Sequence, residues 1–144
     1  MKKILILSML IISTITYSQN SSSKSLLKWK MGNLDLVEFT RDSSKTYILY
    51  FRNAKYQNIV DIKYTNFGDI NDLKENISQL DSIVTNIELE NSEIKSYNVN
   101  GIKVFLSKSM GVKSLSLYSD DELGNCYLVH KDFDKMREAI LQIK

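Results

Sequence analysis

Proline is absent from the 144 residues, cysteine and histidine occur once each, and glycine occurs only five times. A single cysteine excludes an intrachain disulfide framework. Together with one histidine it falls short of an ordinary structural zinc site. The lack of proline and scarcity of glycine exclude collagen-like repeats and flexible low-complexity chains. No apolar run reaches the roughly 20 residues that a membrane-spanning helix needs. No glycine-rich phosphate loop, paired-carboxylate motif or nucleophile elbow is present. No cofactor or metal is therefore expected, and the residues lean away from an enzyme. What is there is ordinary globular material: 43% hydrophobic and 25% charged, in a length that suits one domain.

The first residues carry an address. Met1, Lys2 and Lys3 precede an apolar run at 4–15, and small residues follow at Thr16 and Ser18. A basic start, a short apolar core and a small-residue site form a secretory signal peptide, with cleavage expected after Ser18. No cysteine follows the run, so no lipid attachment is expected there. Of the 19 basic residues, Lys2 and Lys3 leave with residues 1–18 and no acid does, so the mature chain holds 17 basic and 17 acidic residues. Zero net charge argues against a nucleic-acid partner, whose phosphates demand a basic footprint. Residues 19–25 (QNSSSKS) read as a polar tether, and 26–144 as one α+β domain with no membrane span.

Periodicity assigns the elements. In 69–89 the apolar residues Ile70, Leu73, Ile77, Leu80, Ile83, Val84 and Ile87 fall on one helical stripe, with Asp69 placed to cap it. A second helix is expected after Asp132, carrying Phe133, Met136, Ile140 and Ile143. The rest alternates as strands near 26–31, 34–41, 46–52, 58–65, 93–99, 102–108, 112–119 and 125–130. Val37 with Phe39 shifts the phase of its strand and suggests a bulge. Asn100-Gly101 is a two-residue hairpin signal. The run 46–51 (TYILYF) is apolar on both faces and belongs in the centre of a sheet.

About eight antiparallel strands and two helices follow, in the order ββββα twice, with repeats at 26–90 and 91–144. Residues 31–36 (MGNLDL) echo 99–104 (VNGIKV), and Phe51 echoes Tyr118. In element order alone, tandem ββββα units resemble Whirly-type single-stranded nucleic-acid binders and exported modules similar to β-lactamase-inhibitor and PepSY folds. No motif of those families is present.

Few residues invite chemistry. Cys126 and His130 share a strand face but stand roughly 13 Å apart along it, too far for a nucleophile and its base. Cys126 reads instead as a buried apolar filler, and His130 as the end of the strand. Asp120, Asp121 and Glu122 form an acidic turn without the ligand alternation of a calcium loop. The triplet at 81–83 (DSI), similar to an acceptor for O-linked sugar in some secreted bacterial proteins, lies mid-helix. The candidate binding residues are Tyr50, Arg52 and Tyr56, an aromatic and guanidinium surface of the composition favoured at interfaces. The sequence thus reads as an exported, non-catalytic binding module of the periplasm or extracellular space, whose partner is a protein or cell-surface component. The rival readings are a single-stranded nucleic-acid binder and a small secreted hydrolase. The first would need Lys28, Lys30, Lys55, Lys63, Lys95 and Lys103 on one face; the second needs a cleft with convergent titratable groups.

Overall fold

The computed structural model describes residues 21–30, 33–55 and 60–143. The expected signal segment, Gln19 and Asn20 of the tether, Met31 and Gly32 of the repeat echo, and Tyr56 lie outside them. The elements run β1 (Ser21–Trp29), β2 (Leu34–Arg41), β3 (Ser44–Arg52), β4 (Ile62–Asn66), α1 (Ile70–Asn86), β5 (Ile94–Val99), β6 (Ile102–Ser109), β7 (Val112–Tyr118), β8 (Asn125–Leu128) and α2 (His130–Leu141). Strands β1 to β4 form one four-stranded sheet and β5 to β8 another, each in sequence order and antiparallel throughout. This is an α+β fold in which a ββββα-like arrangement is repeated.

Local chemistry explains the element ends. The Asp69 carboxylate accepts from the backbone N–H groups of Asn71 (2.7 Å) and Asp72 (3.0 Å), and Asp72 accepts back from the Asp69 N–H. That reciprocal box satisfies donors the first helical turn leaves open. Gly68 precedes it at φ +80°, where a Cβ would lie 2.3 Å from the Asp72 carboxylate, so only glycine fits. At the hairpin between β5 and β6, Asn100 (φ 50°) and Gly101 (φ 88°) both take the left-handed conformation that a type I′ turn demands.

Four details differ from the sequence reading. β1 begins at Ser21, so residues 21–25 of the expected tether pair with β2; backbone pairing needs no apolar side chain, and these serines form an exposed edge. The irregularity expected at Val37 and Phe39 sits instead in β1, where Leu26 is the extra residue, while β2 and β3 stay in register. β8 stops at Leu128 and α2 starts at His130, with Val129 in the cap position. Asp132 is thus the third helical residue, and its carboxylate reaches back to the Val129 N–H (2.9 Å). Finally, the echo of Phe51 by Tyr118 fails. Leu36 faces Leu49 as Val104 faces Leu117, so the hairpins correspond, yet Phe51 is buried under the helices whereas Tyr118 lies on the outer face against Phe105.

The inner faces of both sheets and one side of each helix form a single core. Leu36, Leu49, Val104, Leu117, Leu73, Leu80, Phe133 and Met136 are all fully buried in it. Of the α1 stripe, Leu73, Ile77, Leu80 and Val84 lie in this core, and Ile70, Ile83 and Ile87 pack at its rim. The two halves interlock. α1 packs against α2 and β3 but also against β5 and β7, while α2 packs against β1. Backbone hydrogen bonds cross between halves as well, from Ala54 N–H to the Asn125 carbonyl (2.9 Å) and from Asp120 N–H to that of Tyr64 (3.1 Å).

Candidate binding surface

β3 alternates strictly. Tyr47, Leu49 and Phe51 are buried against the helices, while Ile48, Tyr50 and Arg52 are half-buried on the opposite, outer face. Strand pairing sets Ile48 beside Val37, Tyr50 between Asp35 and Tyr64, and Arg52 beside Ile62. The Tyr50 and Tyr64 rings stand 6.1 Å apart, centroid to centroid, at a tilt of 51°. Tyr50 and Arg52 therefore share a face, as the alternation of 46–51 implies. Val60, Ile62 and Tyr64 complete it at 71%, 64% and 50% exposure. The sequence reading did not single these three out, because apolar residues at every second position ordinarily face the core. Here Thr65 turns inward in β4 instead, and its hydroxyl donates to the Tyr118 carbonyl of the second half (2.8 Å).

The outer face is concave. A trough of about 620 Å³ runs along it, with Val37, Phe39 and Tyr50 at its apolar part and Lys28, Asp35 and Arg52 at one end. Arg52 and Asn33 also wall a second depression of about 420 Å³ between the first sheet and β8. Asn53, 1% exposed, organises this junction: its amide donates to Asp61 (2.8 Å), and its oxygen accepts from the Lys55 N–H (3.1 Å). Gly124 packs so close that a Cβ there would lie 2.6 Å from Lys63 and 2.8 Å from Asn53. The acidic turn beside it is held internally. Asp121 accepts from the Ser119 hydroxyl, from Lys63 (2.9 Å) and from the Leu123 N–H (3.0 Å). The Ser119 hydrogen bond, aided by Lys63, holds its carboxyl down at about 2. Among the described residues no three His, Cys, Asp or Glu side chains are placed to hold a metal ion.

Cys126 and His130 do not share a strand. Cys126 is buried in β8, and burial pushes its thiol up to about 12, so at neutral pH it carries almost no thiolate. His130 opens α2 and points to α1, where its Nδ1 lies 2.7 Å from Asp81 Oδ1. Arg137 binds the other Asp81 oxygen and reaches Asp134 (2.9 Å), which stands 3.6 Å from His130 Nε2. Asp81, in the triplet at 81–83, is thus a buried clamp between helices. The Asp81 hydrogen bond raises the His130 pKa. A second buried carboxylate, Asp132, ties α2 to β1 through Trp29 Nε1 (3.0 Å) and Lys30 (2.8 Å).

Lys28, Lys30, Lys63, Lys95 and Lys103 each pair with a carboxylate, on five different elements or loops, so they make no uncompensated stripe. A cleft of about 420 Å³ at the start of α1 is lined by Asp72 and Asp120 with Asn66, Asn76 and Asn100. Both carboxylates already accept backbone N–H groups, and no serine, cysteine or histidine lines the cleft. Among the described residues no helix is long and apolar enough to cross a membrane. The chain matches no protein-family model, no curated protein and no solved structure.

Proposed function

We propose that the chain is an exported, non-catalytic binding module that holds a protein or another surface component in the periplasm or outside the cell. The observation that carries this reading is the outer face of the first sheet: Val60, Ile62 and Tyr64 stand exposed beside Tyr50 and Arg52 over a 620 Å³ trough. Contiguous apolar surface of this kind, with tyrosine and arginine in it, is characteristic of interaction sites. Export rests on the residues of 1–18 alone, and mass spectrometry of the exported protein should find a chain beginning at or near Gln19.

The face is tested by affinity capture from native envelope or culture fluid. A bait carrying Ile62→Ser and Tyr64→Ser should lose a partner that the unaltered protein retains. A bait carrying Ile94→Ser and Val112→Ser, which removes equally exposed apolar groups from the second sheet, should retain it. Equal recovery by both altered baits would assign binding elsewhere, and no specific partner for the unaltered bait would reject the reading.

A further inference from the structure

The β6–β7 hairpin turns on Met110 and Gly111, both left-handed at φ 50° and 79°, between the paired residues Ser109 and Val112. Asn100 and Gly101 make the same kind of turn between β5 and β6, and there the first residue has a structural reason. Asparagine tolerates the left-handed region, and the Asn100 amide donates to Asn76 of α1 (2.8 Å). Methionine visits that region reluctantly, and Met110 is 98% exposed, so it neither suits its backbone nor packs into the core. The hairpin is anchored without it. Lys113 donates to the carbonyls of Thr85 and Ile87 (both 3.0 Å), and Lys108 to that of Leu89 (3.1 Å). Folding therefore places no demand on the Met110 thioether.

That sulfur is open to two-electron oxidants. Among the described residues sulfur occurs three times, at Met110, Cys126 and Met136. The other two are shut in: Met136 is fully buried and Cys126 is 5% exposed. With its thiol pushed up to about 12, Cys126 also lacks the thiolate that a peroxide attacks. We infer that Met110 is a reversible surface oxidation site, which takes one oxygen atom from a peroxide while the sulfurs of the core stay reduced. A sulfur lone pair attacks one oxygen of hydrogen peroxide, the S–O bond forms and the O–O bond breaks. The departing oxygen takes the proton of the transferred one and leaves as water. Sulfur loses two electrons, and the peroxide gains them. The product has room: a Cβ added at Gly111 would meet nothing within 4 Å, so the turn stands in open solvent. Oxidation makes the most exposed apolar side chain of the described residues polar. It does so at the opposite end of β7 from Tyr118 and Asn125, and so away from the first-sheet face.

The test is hydrogen peroxide oxidation of the purified protein, mapped by peptide mass spectrometry over a time course. Sulfoxide should form at Met110 at least about tenfold faster than at Met136, and ahead of any oxidation of Cys126. In denaturant the two methionines should react within about twofold of each other, as thioethers freed of the fold. Protein oxidised at Met110 alone should melt as the untreated protein does, and methionine sulfoxide reductases specific for the two epimers should together restore it. Met110→Asn, which copies the other hairpin, should melt no lower than the unaltered protein. A smaller ratio between the methionines in the native protein, earlier oxidation of Cys126, or a ratio that persists in denaturant would each overturn the inference. So would a melting temperature lowered by the Met110 sulfoxide or by Met110→Asn, or a sulfoxide that resists both reductases.

Discussion

The two sheets match on their inner faces and part on their outer ones. Inside, the pair Leu36–Leu49 of the first hairpin corresponds to Val104–Leu117 of the second, all four fully buried. Outside, Val37–Ile48 corresponds to Phe105–Ser116, and Phe39–Thr46 to Ser107–Ser114. The serine hydroxyls of the last pair meet at 3.2 Å. Beyond the hairpins, Tyr64 of β4 stands where β8 has Asn125, and Asn66 where it has Tyr127. Inner positions answer to a shared core, which tolerates few changes in volume or polarity. Outer positions are free of that demand: Ile48 and Phe39 of the first sheet stand where the second carries Ser116 and Ser107, while the second stacks Phe105 on Tyr118.

The comparison breaks first if the core is not shared. Leu73→Ala should destabilise the protein by about 2–5 kcal/mol, and Leu115→Ala in the other half by a similar amount. Chemical denaturation of both variants should show one transition. Two separate transitions would make the halves independent, and a change under about 0.5 kcal/mol at Leu73 would place α1 at the periphery.

The clamp between helices comes next. Asp81→Ala leaves His130 and Arg137 without their shared partner and should cost about 1–3 kcal/mol. Because the His130 pKa is raised in the folded protein, its contribution is fully present below the ordinary value of about 6.5 and fades as pH rises through the folded value. An NMR titration of the His130 ring should show the raised pKa in the native protein and its return toward the ordinary value in Asp81→Asn. The opposite sign applies to Asp121, whose stabilising effect is complete above the normal carboxylate range and lost as pH falls toward about 2.

Smaller effects sharpen the contrast. Cys126→Ser should cost about 1–3 kcal/mol by burying a hydroxyl, more than Cys126→Ala. The native thiol should resist labelling at neutral pH, and rapid labelling suppressed by His130→Ala would reinstate catalysis. Least of all, Ile62→Ser should change stability by no more than about 0.5 kcal/mol, since an exposed side chain adds little to folding. A large loss there would make the outer face structural.

Alternation and helical spacing exposed most of the fold, because those periods follow from which side of an element meets the core. They located α1 and its Asp69 cap, the Asn100-Gly101 turn and the paired face of Tyr50 and Arg52. Their failures share a cause. An aspartate at a helix start can cap from the first position or reach back from the third, and Asp132 does the latter because Trp29 and Lys30 hold it there. The apolar residues of β4 point outward because the second half takes the space on its inner side. Asp81 finds partners 49 and 56 residues away. Such placements depend on tertiary neighbours that no local pattern records.

The bond from Trp29 to Asp132 spans 103 residues of chain, and that from Lys30 to the Tyr127 carbonyl spans 97. A ribosome makes the chain from its first residue, so the end of β1 waits for almost the whole sequence before its partners exist. Contacts of such long range slow folding, because the closing chain loses its freedom before any packing returns it. Until the last helix has been made, Trp29 and Lys30 lack the carboxylate that holds the end of β1.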